Sequence, residues 1–478
     1  MLGAAKSTMR ALRSRIRFAA LRSARALLAG GLAAALLGAA LPARAQTDAA
    51  PATEEAPASG LAAYGIRGTL TYRNYSYFRE TPTDDRNFYN EGILLVEWAR
   101  RFAPWVSVKI AGEVRGDTAG FAEGVRFNVP DDDVHRSIVS LKEAVAHFRA
   151  GPVELSVGKQ FYAWGTADAF NPTDNLNPRD YMDPIDSEKM AVYSAAARLN
   201  VGPTQLTFVV VPVFTPSRLP LVNSRWLPAP ATGATVAVVD DRDQPSQSFD
   251  NVQYAARAKT TLRGWDFSAS YFEGFEATPV IRVSELVVFP GVSVPRLTPV
   301  FTRMRVLGLD FSTTWRKFEF HGEAAFKFTV RDGRHDRFQV VGGLNYTWDD
   351  FRLSWLDRIL FIAEYSKEVN LSTAERSGVL GTEDLVRFGL AQTNTGLSDA
   401  GIGRVAVKFT EDTELRVSAI LDFTSSFSHY VQVKLVHKIF DALQAEAGVD
   451  LFTGERGKSF WGQWKDNDRF SFALRYFF

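Results

Sequence analysis

The chain has 478 residues, with 55 basic and 54 acidic side chains and no cysteine. The lack of cysteine excludes disulfides, thiolate metal sites and cysteine nucleophiles. Beyond the N-terminal segment no stretch approaches the roughly 20 continuous apolar residues that a membrane helix needs, so any membrane crossing there must use the strands of a β-barrel.

The first 45 residues have the pattern of an export signal. Seven basic residues up to Arg25 precede an apolar run from 26 to 41, and the small-residue sequence Ala43-Arg44-Ala45 follows. We predict a cleaved signal peptide over 1–45 rather than a membrane anchor, because the apolar run is short. Loss of its eight basic residues leaves 47 basic against 54 acidic residues, a net charge of −7. This balance argues against a nucleic-acid partner.

Residues 46–62 are rich in alanine, proline and glutamate and show no periodicity. They predict a flexible periplasmic leader, with a barrel domain over 63–478. From there on apolar and polar residues alternate, as in FEFHGEAAFKFTVR at 318–331. Such a period of two indicates β-strands. The runs reach about ten residues, the length of a strand tilted across a bilayer, whereas strands of soluble sandwiches are nearer five or six.

The connections between these runs alternate in length. Eight brief turns, such as Arg263-Gly264 and Arg316-Lys317, alternate with nine excursions, most of which are long and polar or proline-rich. The sequence therefore predicts an all-β fold: a transmembrane antiparallel up-and-down β-barrel of about 18 strands, with short periplasmic turns and long extracellular loops. Sixteen strands is the alternative, because segments 357–370 and 383–392 are ambiguous.

The chain ends on RFSFALRYFF at 469–478, with an apolar face that includes Phe470, Tyr476 and Phe478. This ending resembles the C-terminal signal that the outer-membrane barrel assembly machinery recognises. The resemblance implies that machinery as a partner, and the apolar stripe implies contact with outer-membrane lipid.

One connection, residues 158–189, differs from the others. Its Asn-Pro and Asp-Pro pairs cannot continue a strand ladder. By parity Lys159 would face lipid at a cost of about 2 to 4 kcal/mol at mid-depth, so we predict that a bulge or an early departure from the wall turns it inward. We interpret the segment as an inward loop that narrows the pore with an acidic lip; the alternative is that its residues only cap turns outside the membrane. The candidate constriction residues are Lys159, Gln160, Trp164, Asp168, Asn171, Asp174, Asn177, Arg179, Asp180 and Asp183.

Charged residues fall on the inner parity of many predicted strands. Charge of both signs would solvate a pore and set its ion preference; for any one residue, the alternative is a solvated or paired interior charge. The candidate lumen-lining residues are Lys109, Glu113, Arg115, Arg257, Lys259, Glu319, Glu323, Lys327, Arg337, Arg416, Lys434 and Arg475.

The sequence elements GKQ at 158–160, WG at 164–165, ADAFNP at 167–172 and NPRD at 177–180 resemble porin-like families of unknown function and, distantly, the alginate-export porins. The resemblance implies a channel in the outer membrane of a Gram-negative bacterium. It does not carry over a substrate, because the strongly basic lumen expected of a polyuronate exporter is not evident at a net charge of −7.

Catalytic motifs are absent from the sequence. The six histidines are scattered without an HExxH pair, and neither a GxSxG elbow nor a Walker loop occurs. We therefore predict no enzyme, no cofactor and no metal site. The favoured function is passive or facilitated passage of small solutes through a polar lumen. An occluded barrel that binds or transports a hydrophobic or polysaccharide ligand is the alternative, and a surface enzyme is less favoured. The solute, ion selectivity, transport direction and a homotrimeric state stay open.

Overall fold

A computed structural model describes residues 60–478 apart from 222–223, 228–237, 240–241, 290–291, 331–335, 372–396, 425 and 457. The predicted signal peptide and residues 46–59 of the predicted leader lie outside the described residues. A short 3-10 turn, Ala62–Tyr64, precedes the first strand. No helix in the described ranges is long and apolar enough to span a membrane.

Eighteen strands form one closed antiparallel sheet, which confirms the predicted up-and-down barrel. Each strand pairs with its sequence neighbours, and the last pairs with the first to close the wall. The strands are β1 Ile66–Tyr77, β2 Phe88–Ala103, β3 Val106–Asp117, β4 Val139–Ala150, β5 Val153–Gln160, β6 Val192–Val201, β7 Thr204–Val211, β8 Gln253–Leu262, β9 Trp265–Phe275, β10 Arg303–Trp315, β11 Phe318–Thr329, β12 Arg337–Trp348, β13 Arg358–Asn370, β14 Asp399–Lys408, β15 Thr413–Asp422, β16 Ser428–Phe440, β17 Leu443–Thr453 and β18 Arg469–Phe477. The ambiguous segment 357–370 is thus a wall strand, whereas 383–392 lies outside the described residues.

The register keeps one parity of every strand on the inside of the wall. Glu323 on β11 lies opposite Asp310 on β10 and Val341 on β12, and the same inward parity continues around the ring. The outward parity carries exposed apolar side chains such as Leu309, which is 57% exposed, and Phe326. An apolar exterior around a polar interior is the arrangement of a barrel that spans a membrane.

The two ends of the barrel differ as the sequence predicts. Two-residue turns join β8 to β9 and β10 to β11, and their first residues, Arg263 and Arg316, have φ values of 52° and 58°. Positive φ at this position is typical of the tight turns whose twist matches that of the flanking strands. The long connections gather at the opposite end, where their residues can enter the barrel mouth.

Aromatic residues from several loops pack inside this mouth near β1, β2, β16 and β17. The ring centroid of Trp226 lies 6.0 Å from that of Phe452 and 6.1 Å from that of Trp464. Tyr77 and Trp461 belong to the same buried group. We call this group the aromatic cluster. It fills one side of the mouth.

Candidate functional site: an inner loop across the lumen

Residues 161–191, which connect β5 to β6, form the segment that we call the inner loop. The chain leaves the wall directly after Gln160, and Gly158 takes a φ of 136° just before it. The Lys159 side chain is only 8% exposed and its Nζ lies 2.9 Å from Asp131 of the β3–β4 connection. Lys159 therefore has an ion-pair partner instead of a lipid environment. Gln160 is also buried, and its side chain donates to the Ser194 carbonyl at 3.1 Å.

The first anchor of the inner loop is Glu323 on β11. Its carboxylate accepts hydrogen bonds from the backbone N–H groups of Thr166 at 2.6 Å and Ala167 at 2.8 Å. Asn171 donates its amide at 2.9 Å and Thr173 its hydroxyl at 2.8 Å. A carboxylate has about four acceptor positions, so this single side chain satisfies one whole turn of the loop.

The second anchor lies on the neighbouring strands β11, β12 and β13. Glu364 accepts the backbone N–H groups of Asp168 at 2.6 Å and Ala169 at 3.1 Å, and its carboxylate lies 2.8 Å from His321 Nε2. Asn345 donates its side-chain amide to Asp168 at 2.7 Å. Asp168 itself remains exposed.

These anchors show how far the inner loop extends. It leaves the wall at β5, and β11 and β13 lie six and eight positions from β5 in the closed ring of 18 strands. Nine positions is the largest separation that such a ring allows. The loop therefore crosses the lumen and is bonded to the wall on the far side.

The loop then turns back, and Asp180 makes its third anchor. Arg136 donates to this carboxylate at 2.9 and 3.0 Å, and Arg218 lies at 3.4 Å. Burial by itself would raise the pKa of Asp180, but the two guanidinium groups outweigh burial and hold that pKa well below its usual value. Asp180 is therefore a paired anion at every pH at which the protein is expected to work.

Asp183 makes a fourth contact, with Arg469 on the last strand. The Arg469 side chain is fully buried, and it also binds Asp450 of β17 at 2.7 Å and the Tyr77 hydroxyl at 3.1 Å. Because a buried guanidinium needs both charge and hydrogen-bond partners, this network ties the inner loop to the strands that close the barrel.

Glu188 attaches the end of the inner loop to β3 and β4, on the side of the wall from which the loop starts. Its carboxylate contacts Arg115 of β3 at 2.9 Å and Lys142 of β4 at 3.1 Å. Burial would raise the pKa of Glu188, but these cations outweigh it and keep the pKa well below its usual value. Glu113 pairs with the same two cations at 2.9 and 3.2 Å.

A polar cavity of about 180 Å³ remains between the inner loop and the wall near β9 to β11. Its charged lining comprises Asp174, Arg179 and Lys189 of the loop, with Glu276 and Lys327 on the wall side. Lys189 forms an ion pair with Asp174. Burial raises the pKa of the Asp174 carboxyl, and Lys189 offsets this only in part.

The remaining candidates of the loop have structural contacts. Trp164 packs in a buried cluster, with the Arg257 guanidinium 5.9 Å from its ring. The Asn177 side chain accepts from Tyr162 N–H at 2.6 Å and donates to the Met190 carbonyl at 2.8 Å. Arg179 donates to Ser187 at 3.3 Å. The acids of the loop are thus mostly paired, so the lip that the sequence suggested to be acidic is largely neutralised.

The twelve candidate lumen residues all lie on the inward parity of their strands. Many of these residues form ion pairs with carboxylates on the same inward face. Only a few of them border the inner loop or its cavity. The ion pairs not yet described are Lys109 with Glu97 and Glu143, Arg257 with Asp310, Lys259 with Asp266, Arg337 with Glu276, Arg416 with Glu414, and Lys434 and Arg475 with Glu446. Glu319 lies opposite Asn345, next to the second anchor.

Sequence patterns did not identify several residues that hold the loop. Glu364 lies in the segment whose strand character was ambiguous, although its inward parity is evident once β13 is assigned. Arg136 and Arg218 come from other loops, and no local spacing connects them with Asp180. The alternation along 318–331 places His321 on the inward face, but it does not show that the imidazole lies buried beside Glu364.

The fold and the inner loop together define a class of protein: a transmembrane β-barrel whose lumen is narrowed by its own loops. No family model matches the chain, and no curated protein matches it. Solved structures with a similar fold include Wzi of Escherichia coli, an outer-membrane carbohydrate-binding β-barrel involved in group 1 capsule assembly, at 11% identity and a TM-score of 0.45 over 86% of this chain and 84% of that one.

Two further similar structures cover the same share of this chain, 86%. OccK11 (OpdR) of Pseudomonas aeruginosa is 14% identical, with a TM-score of 0.48 over 95% of its own length. OccAB3 of Acinetobacter baumannii is 11% identical, with a TM-score of 0.48 over 99% of its own length. These similarities concern the barrel fold alone.

Proposed function

We propose that this protein is a channel of the Gram-negative outer membrane that passes small polar solutes, with the inner loop as its constriction. The observation that carries the proposal is the course of the loop. It crosses from β5 to Glu323 and Glu364 on the far wall, and it leaves a polar cavity of about 180 Å³ beside it.

The dimensions and the lining support passage through this space. Barrels of 16 to 18 strands are wide enough to hold an aqueous channel, whereas those of about eight strands are filled by side chains. Here the inward parity carries charges of both signs, such as Lys109, Glu143, Lys259 and Asp266. A mixed polar wall solvates a permeating solute without binding it so tightly that it cannot leave.

Planar-bilayer recording of the purified barrel tests this proposal. We expect discrete, ohmic conductance steps from the wild-type protein. The cavity charge should set ion preference, so Asp174→Asn, which leaves Lys189 without its carboxylate partner, is expected to shift the reversal potential in a salt gradient toward anions.

The matched variant is Asn175→Asp, which adds a negative charge to the same cavity lining. It is expected to shift the reversal potential toward cations. Identical reversal potentials for both variants and the wild type would show that ions do not pass beside Asp174. A barrel that is folded but silent in the bilayer would reject the channel.

The aromatic cluster favours a second candidate, an occluded barrel that binds a ligand. Trp226, Trp461 and Trp464 are buried where loops fill one side of the mouth, and such packing closes part of the lumen. Under this alternative the folded wild-type barrel gives no conductance steps, and deleting residues 454–468, which carry Trp461 and Trp464, opens it. A wild-type conductance as large as that of the deletion variant argues for the open channel.

A further inference from the structure

We propose that Asp168, His321 and Glu364 form a binding site for a divalent cation of the Zn²⁺ class, which clamps the inner loop to the far wall. Asp168 belongs to the inner loop, His321 to β11 and Glu364 to β13, so a cation held by all three would join elements that are far apart in the chain. This site is separate from the cavity described above, and it does not depend on whether solutes pass through the barrel.

The geometry of the three side chains suits a small cation. One ligand atom from each lies within 4.8 Å of the other two. Zn²⁺ binds imidazole nitrogen and carboxylate oxygen at about 2.0 to 2.2 Å, which places tetrahedral ligands roughly 3.3 Å apart. Side-chain rotations can bring the atoms to that separation, and the exposed position of Asp168 leaves room for water as a fourth ligand.

The charge around the site is the second observation. Glu319 lies on the same inward face of β11 as His321, two residues earlier, so a third carboxylate shares this part of the wall. In the described part of the chain no lysine or arginine lies within 4.0 Å of Asp168, Glu319 or Glu364, in contrast to the loop acids Asp180 and Asp183, which pair with arginine. A cation would supply positive charge that no lysine or arginine supplies among these described residues.

His321 gives the third observation, because it is 2% exposed and presents its Nε2 to the Glu364 carboxylate. Its Nε2 contacts Glu364, while its buried Nδ1 has no hydrogen-bond partner among the described residues. Gly343, opposite His321 on β12, leaves space for both side chains, since a Cβ there would collide with His321 Nε2 and lie 2.7 Å from Glu364 Cγ.

Outer contacts already orient the ligands, as is usual around metal sites. Asn345 holds Asp168 through its amide, and the backbone N–H groups of Asp168 and Ala169 hold Glu364. Imidazole with two carboxylates suits Zn²⁺ and similar transition metals, whereas Mg²⁺ and Ca²⁺ prefer oxygen ligands alone.

Calorimetric titration of the full chain, folded in detergent, with Zn²⁺ tests the site, and metal analysis after gel filtration gives the stoichiometry. We expect one Zn²⁺ per barrel and no displacement by a tenfold excess of Mg²⁺. Asp168→Asn and His321→Gln should each weaken binding at least about tenfold. The matched control is His437→Gln, because His437 is bonded to Thr413 at the short-turn end of the barrel.

Co²⁺ offers a direct readout of ligation, since its visible spectrum should change on binding to the wild type and not to His321→Gln. Heat-modifiable migration on gels verifies that each variant is folded. If His321→Gln does not fold, Asp168→Asn decides, because Asp168 is exposed and its carboxylate takes a single described hydrogen bond, from Asn345. A folded wild type that retains no Zn²⁺, equal binding by Asp168→Asn, or equal binding of Mg²⁺ would each overturn the proposal.

Discussion

Glu323 accepts a hydrogen bond of 2.8 Å from the hydroxyl of Thr173, although 150 residues separate the two in the chain. The bond joins a wall strand to a loop that begins on the other side of the barrel. Glu323 is 2% exposed and interacts with four residues of the loop. This carboxylate therefore holds the turn at 166–173 of the inner loop against the far wall.

Replacing Glu323 should release the inner loop. Each buried donor left without an acceptor costs roughly 1 to 3 kcal/mol, so Glu323→Ala should detach the turn at 166–173 and raise single-channel conductance. Glu323→Gln keeps a single acceptor oxygen and should have a smaller effect. Conductance that is unchanged in a folded Glu323→Ala barrel would mean that the loop does not depend on this anchor.

Arg469 should be essential for the stability of the barrel where β18 pairs with β1 and closes the wall. Arg469→Met leaves the carboxylates of Asp183 and Asp450 buried without their cation, and breaking such a pair costs about 3 to 5 kcal/mol. The urea midpoint of the barrel in lipid vesicles measures the loss. Adding Asp183→Asn and Asp450→Asn to Arg469→Met should recover part of the stability, and a triple variant no better than the single one would contradict the charge argument.

The Asp180 anchor should resist acid. Its pKa in the folded protein lies below its unfolded value of about 3.9, so its contribution to stability is present above that value and is lost only as the pH falls through the lower folded pKa. Protease digestion of the inner loop should therefore be equally slow at pH 7 and pH 5. Asp180→Asn should speed digestion at both pH values, because Arg136 and Arg218 lose the carboxylate through which they hold the inner loop.

The outward face should reject charge, whereas the inward face of the same strand should accept it. Leu309→Arg places a charge on the apolar side of β10, at a cost of about 2 to 4 kcal/mol near mid-membrane. Ser312→Arg is the matched control, since Ser312 faces inward opposite Asp266. Folding in lipid vesicles measures both, and equal tolerance of the two changes would contradict a lipid-facing exterior.

Much of the wall could be predicted because its rules are local. Alternation along 318–331 identified β11 and its inward charges, and the two-residue turn at Arg263 and Gly264 marked where β8 reverses. The inward course of the loop after Lys159 was also suggested by local chemistry, since a lysine in lipid is costly and Asn-Pro pairs end a strand. Such signals depend only on neighbours in the chain.

The partners of the inner loop could not be predicted from these signals. Nothing in the spacing of Asp180 points to Arg136 and Arg218, and His321 has no recognisable companion in the sequence. The expected acidic lip was therefore assigned without the cations that neutralise it. Pairing between distant charges follows only when the positions of all the strands around the ring are known.

By itself, then, the sequence determined the barrel class and the two faces of the wall, because strand periodicity and turn chemistry act over a few residues; it left 16 strands open beside 18, and the structure has 18. Only the tertiary structure decided that Glu323 and Glu364 receive the loop and that Asp168 meets His321. The physical reason is closure: once β18 pairs with β1, side chains on opposite walls face one lumen, and a loop that crosses it can bond to residues far away in the chain.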